Sequence, residues 1–100
     1  DVLIIDDMID TAGTTVNAAN AAIENGAKSV TAVATHAVLS GPAIERIKDS
    51  AISKLIVTDT VSISENKKLD NMQIVTVSEV FAEAIKRVFD GKSVSALFEF

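Results

Sequence analysis

The chain has 100 residues, room for one small domain built around a single hydrophobic core. Hydrophobic residues make up 48% and charged residues 23%, a globular balance, and no apolar run nears the roughly 20 residues that span a bilayer. A net charge of −5 offers no basic face to nucleic-acid phosphates, and with no cysteine and one histidine neither a disulfide framework nor a metal-binding cluster is expected.

A soluble, cytoplasmic domain with neither nucleic acid nor membrane as partner is the expectation. Val2 to Ile5 is apolar at every position, which predicts a strand covered on both faces and favours a parallel sheet. The chain opens at Asp1, without a signal-peptide pattern, and is inside that strand by Val2, so it reads as cut from something longer. Asp6, Asp7 and Asp10 follow as an acidic exit, then a loop of small and hydroxyl residues to Thr14.

Val16, Ala18, Ala19, Ala22 and Ile23 share one side of a helical pattern predicted over Thr14 to Asn25, with Asn25-Gly26 as its C-terminal cap. Ser29 to Thr35 reads as a second strand. Gly41-Pro42 opens a short second helix that buries Ala43, Ile44 and Ile47 and ends near Ser50. Lys54 to Thr58 is a third strand, Asp59 to Asn71 a solvated connection, and Met72 to Val77 a fourth strand.

Ser78-Glu79 starts a third helix with Val80, Phe81, Ala84, Ile85 and Val88 as its apolar stripe, ended by Asp90-Gly91. The tail from Ser93 to Phe100 alternates in a manner that suggests a short strand, and its aromatic residues suggest an interface between copies of the chain. The order β-α-β-α-β-β-α predicts a doubly wound α/β domain with a mainly parallel sheet. Such folds bind ligands at the carboxyl ends of their strands.

That rule puts Asp6, Asp7, Asp10 and the loop to Thr14 at the ligand edge. Gly13 permits close backbone approach, Thr11, Thr14 and Thr15 offer hydroxyls, and the helix N-terminus supplies free N–H groups and a favourable dipole, so an anion such as phosphate suits the site. A carboxylate beside a phosphate is repulsive unless it meets hydroxyls or a cation. Sugar hydroxyls or a magnesium-bound ligand are therefore the expected targets of the aspartates. Asp6 and Asp7 point to opposite faces of a strand and do not form an acid-base dyad.

The bland alternative is that these residues cap a helix or sit exposed at a strand end. Neither a GxxxxGK phosphate loop nor a GxGxxG fingerprint is present. His36, alone at the end of the second strand, reads as a hydrogen-bonded structural residue. Asp59 and Thr60, at the exit of the third strand, have similar standing.

The run VLIIDDMIDTAGT resembles the phosphoribosyl-pyrophosphate motif of the phosphoribosyltransferases, in the form found in the ribose-phosphate diphosphokinases, also called phosphoribosyl pyrophosphate synthetases. THAVLSGPAIERI, LIVTDT and SVSALF resemble the same family in the same order. The resemblance implies a type I phosphoribosyltransferase-like fold and transfer of the diphosphoryl group of ATP to ribose 5-phosphate, with Mg2+. It implies that Asp10, Thr11, Ala12, Gly13 and Thr14 bind the 5-phosphate and that Asp6 and Asp7 approach the ribose hydroxyls. Ser93, Val94, Ser95 and Phe98 would contribute to a regulatory site for ADP or phosphate.

Members of that family are longer, two-domain proteins assembled as hexamers of dimers, and this chain resembles most of their C-terminal domain. The residues for ATP, magnesium and the transfer itself would then lie outside it, and no catalytic residue is assigned here. Ala37 stands where the family usually has glycine. Two other readings compete. In a receiver-type signalling domain, Asp6 and Asp7 would hold magnesium and Asp59 would be phosphorylated, although the lysine such a domain needs late in the sheet is missing from Gln73 to Ser78. The other is a non-catalytic, synthetase-like regulatory protein.

Overall fold

A computed structural model describes residues 1–98. Strand β1 (Val2–Ile9) leads into α1 (Gly13–Glu24), β2 (Val30–Ala37), α2 (Ala43–Lys48) and β3 (Ile52–Thr58). A short 3-10 turn (Glu65–Lys67) precedes β4 (Met72–Val75), then come α3 (Ser78–Phe89) and a second 3-10 turn (Ser95–Phe98). The strands form one parallel sheet in the order β1-β2-β3-β4, the α/β arrangement expected from the sequence. Because each step moves to the next strand in the same direction, right-handed crossovers bring α1 and α2 to one face. Those two helices pack against each other.

The register shows which side chains share that face. Val2 pairs with Val30, Ile4 with Ala32 and Asp6 with Ala34. Ala32 in turn pairs with Leu55 and Ala34 with Val57. Ala19 of α1 and Ala43 of α2 are fully buried over this row, together with Ile47, Val30, Ala32 and Leu55. Alanines on helix and strand let the two layers approach closely, which is how a small chain reaches interior packing density.

The opposite face departs from expectation. Leu3 and Ile5 are 57% and 72% exposed, so β1 is covered on one side only among the described residues. Strand β1 also runs on to Ile9, past the predicted end at Ile5, because Met8 and Ile9 continue the pairing opposite His36 and Ala37. Asp6 and Asp7 therefore lie within the strand, on alternate faces, and the ligand edge begins at Asp10.

Helix α3 forms where expected but has no buried residue: Ile85 and Val88 are 69% and 70% exposed. The tail is not the strand its alternation suggested. The Ser93 hydroxyl accepts from Ser95 N–H and Leu97 N–H bonds to Val94, so local side-chain bonding closes a 3-10 turn. Phe100, the last residue of the expected strand, lies outside the described residues.

Candidate functional site

At the carboxyl end of β1 the chain turns through Asp10, Thr11 and Ala12 into α1. Ile9 is buried, 2% exposed, and fixes the start of the turn, while Thr15 is buried at its end. Ala12 adopts a left-handed conformation, φ 69°, as the residue that caps α1. For a residue with a Cβ this costs about 1–3 kcal/mol and persists where surrounding contacts enforce it. No side chain caps the helix, so its first N–H groups stay open.

The turn encloses a cavity of about 210 Å³ lined by Asp6, Met8, Ile9 and every residue from Asp10 to Thr15. Asp6, Asp10, Thr11, Ala12, Gly13 and Thr14 are thus brought together, as the sequence suggested. Asp7 is not among the lining residues. Its backbone N–H donates instead to Asp6 Oδ1, at 2.8 Å, which holds the Asp6 carboxylate against its own strand. Open N–H groups, threonine hydroxyls and a helix dipole suit an anion, and Asp6 and Asp10 at the rim suit neighbouring hydroxyls.

Three participants were not legible as site residues. Ser40, just past β2, donates through its hydroxyl to Asp10 Oδ1 and through its N–H to the Asp10 carbonyl at 2.9 Å. Arg46 on α2 donates from Nη1 to the Thr11 carbonyl at 3.1 Å. Leu39, with φ 51°, is fully buried and turns the chain so that Ser40 reaches Asp10. Ser40 had one local signal, the Gly41-Pro42 turn after it. Arg46 had none, being one charge on the polar side of a short helix.

Other candidates lie elsewhere. His36 Nδ1 is 2.8 Å from Thr60 Oγ1, consistent with a structural hydrogen-bonded histidine joining β2 to the exit of β3. Asp59 accepts from Val77 N–H at 2.9 Å. That bond, assisted by the Thr76 hydroxyl, holds its carboxyl below the usual value of 3.8. A second, larger cavity of about 480 Å³ is lined by Asp59, Thr60, Ser62 and Lys68 among others. Lys68 there is paired to Glu65 at 2.7 Å, so the larger volume brings less free donor chemistry than the turn before α1.

The receiver-type arrangement does not form. Strand β2 separates Asp6 and Asp7 on β1 from Asp59 at the end of β3, and among the described residues no three histidine or acidic side chains gather to hold a metal. Ser93, Val94, Ser95 and Phe98 are also separate from the β1 turn, since they follow α3 and β4 at the other edge of the sheet. The Ser93 and Ser95 hydroxyls lie 2.6 Å apart, and Arg87 Nη1 donates to the Ser93 carbonyl. Among the described residues no helix is long and apolar enough to cross a membrane.

Comparison with known proteins places the chain in a family. A family model described as phosphoribosyl synthetase-associated domain matches residues 2–99. The ribose-phosphate pyrophosphokinase of Clostridium tetani is 56% identical over 97 residues, 97% of this chain and 30% of that protein. The ribose-phosphate pyrophosphokinase of Caldanaerobacter subterraneus is 52% identical over 96 residues, 96% of this chain and 30% of that protein. The crystal structure of phosphoribosylpyrophosphate synthetase from Mycobacterium smegmatis superposes with a TM-score of 0.88 at 38% identity, covering 91% of this chain and 31% of that one. The chain spans about 30% of the length of these relatives. With residues 2–99 matched, the chain belongs to the phosphoribosyl synthetase-associated domain family.

Proposed function

We propose that this chain supplies the ribose 5-phosphate half-site of a ribose-phosphate diphosphokinase, an enzyme that makes phosphoribosyl pyrophosphate for nucleotide biosynthesis. The observation that carries the reading is the cavity before α1, where open N–H groups and threonine hydroxyls meet two carboxylates. Asp10, Thr11, Ala12, Gly13 and Thr14 hold the 5-phosphate, and Asp6, with Asp7 behind it, faces the sugar hydroxyls. ATP enters with Mg2+ as co-substrate. By the same reading, groups outside this chain hold the metal.

The same reading assigns the exposed tail residues Ser93, Val94, Ser95 and Phe98 to a regulatory site for ADP or phosphate. It assigns the exposed apolar residues of α3 to contacts within a cytoplasmic homo-oligomer. The chain by itself makes no product, because the transfer machinery lies elsewhere. Titration with ribose 5-phosphate, followed by amide chemical shifts, tests the half-site. Perturbation centred on Asp10 to Thr14 is expected, and unmoved amides at millimolar ligand would sink the assignment.

A further inference from the structure

The turn before α1 is one-sided in its hydrogen bonding. The Ile9 carbonyl accepts from Val38 and Leu39 N–H at 3.1 and 3.0 Å, and the Asp10 carbonyl from Ser40 N–H at 2.9 Å. The Thr11 carbonyl accepts from Arg46 Nη1 at 3.1 Å, and the Ala12 carbonyl from Val16 N–H at 2.9 Å. The N–H groups of Ala12, Gly13, Thr14 and Thr15 meet no protein acceptor among the described residues. All but one of the carbonyl bonds come from the segment that joins β2 to α2 and from α2 itself.

With its carbonyls tied back and its N–H groups left open, the backbone of the turn presents positive dipole ends. Carbonyl and N–H point in opposite directions across a trans peptide, and no peptide here is cis. Drawing the Thr11 carbonyl toward Arg46 therefore turns the Ala12 N–H away from Arg46, which does not line the cavity. The guanidinium also fills the space behind the turn: a Cβ built on Gly13 would come within 3.3 Å of Arg46 Nη1. Asp10, the one carboxylate in the turn itself, has its Oδ1 engaged by the Ser40 hydroxyl.

We propose that Arg46 is a positioning residue for phosphate monoester binding. From α2 it holds the Thr11 carbonyl so that the backbone of the turn presents its N–H groups to the cavity, and Ser40 holds the Asp10 carbonyl and one oxygen of its carboxylate. Arg46 acts through Thr11 and does not touch the ligand. The inference rests on the ribose 5-phosphate reading of the cavity and adds α2, an element outside the binding run, to the parts that set affinity.

Arg46→Met keeps the aliphatic stem and removes the donor; Arg46→Lys restores a donor. With 13C- and 15N-labelled chain, Arg46→Met should move the Thr11 carbonyl shift before any ligand is added. It should also raise the dissociation constant for ribose 5-phosphate about tenfold, in line with loss of a bond to a charged group, and Arg46→Lys should recover most of both. Gly13→Ala, which presses on the same guanidinium, should move the Thr11 carbonyl as well and carries the test if Arg46→Met does not fold. A Thr11 shift unmoved by these changes overturns the proposal, as does a moved shift with wild-type affinity. If wild-type chain ignores ribose 5-phosphate, the half-site reading fails, and the ligand-free Thr11 shift still judges whether Arg46 sets the turn.

Discussion

Helices α1 and α3 are both 12 residues long, yet they stand in opposite relations to the sheet. Helix α1 turns Thr15, Val16, Ala19 and Ala22 inward, and Ala19 is wholly buried where the helix packs on β1, β2 and β3. Helix α3 carries the larger apolar side chains, Val80, Phe81, Ile85, Val88 and Phe89, and buries none of them; Phe89 is 89% exposed. An apolar stripe says which side of a helix favours cover and nothing about what supplies it. Of these two helices, the one with small inward side chains finds its partner inside the fold, and the one with large apolar side chains faces them outward.

That contrast fixes the order of effects on stability. Leu55→Ala, at a fully buried position beneath α1 and α2, should lower the unfolding free energy by about 2–5 kcal/mol, the lost transfer energy plus the cavity left behind. Phe89→Ala should change it by less than about 0.5 kcal/mol, because that ring is already in water. Urea denaturation of the two variants measures both. A large loss from Phe89→Ala would mean that α3 is packed within the single chain after all, and the comparison would collapse.

Ligand affinity should follow the same geography. Asp10→Ala and Thr14→Ala, in the turn that α1 anchors, should each weaken ribose 5-phosphate binding by about 1–3 kcal/mol in the complete enzyme. Phe89→Ala should leave that affinity unchanged when measured by calorimetry on the same protein. Wild-type affinity in both turn variants would remove the phosphate assignment. Gly13→Ala should fall between, at about 0.5–1 kcal/mol, because the Arg46 side chain must yield by a few tenths of an ångström to admit the new methyl.

How much of this could be read from the sequence follows from how far each signal reaches. The α/β fold was legible because apolar runs and helical periodicity are local, and β3, β4 and α3 fall close to their predicted spans. The end of β1 was not, since Met8 and Ile9 are held in the strand by His36 and Ala37, partners distant in sequence. Cover on both faces of β1 was read from four apolar residues, whereas Leu3 and Ile5 are exposed among the described residues. In the site, residues from Asp10 to Thr14 stood out through their chemistry and their place before a helix. Ser40 and Arg46 did not, because their part depends on α2 packing against α1, and no local pattern marks a side chain that reaches a carbonyl 35 positions away.

The smallest effect lies at the other edge of the sheet, where Asp59 ties the exit of β3 to the start of α3. Its carboxylate accepts from Val77 N–H, the residue that caps α3, and this bond is the main reason its pKa lies below 3.8. A carboxyl whose folded pKa is depressed stabilises the fold above its unfolded value. That contribution declines as pH falls below about 4 and is gone once pH drops below the folded pKa. Wild-type chain should therefore be slightly more stable than Asp59→Asn near neutral pH, and the difference should vanish in acid. Urea midpoints of the two proteins between neutral pH and about pH 2 measure it. A difference that does not depend on pH would show that the asparagine side chain, not the lost charge, is responsible. Loss of amide protection at Val77 alone would locate the effect at the α3 cap, and unchanged protection throughout α1 would show that the two ends of the sheet respond separately.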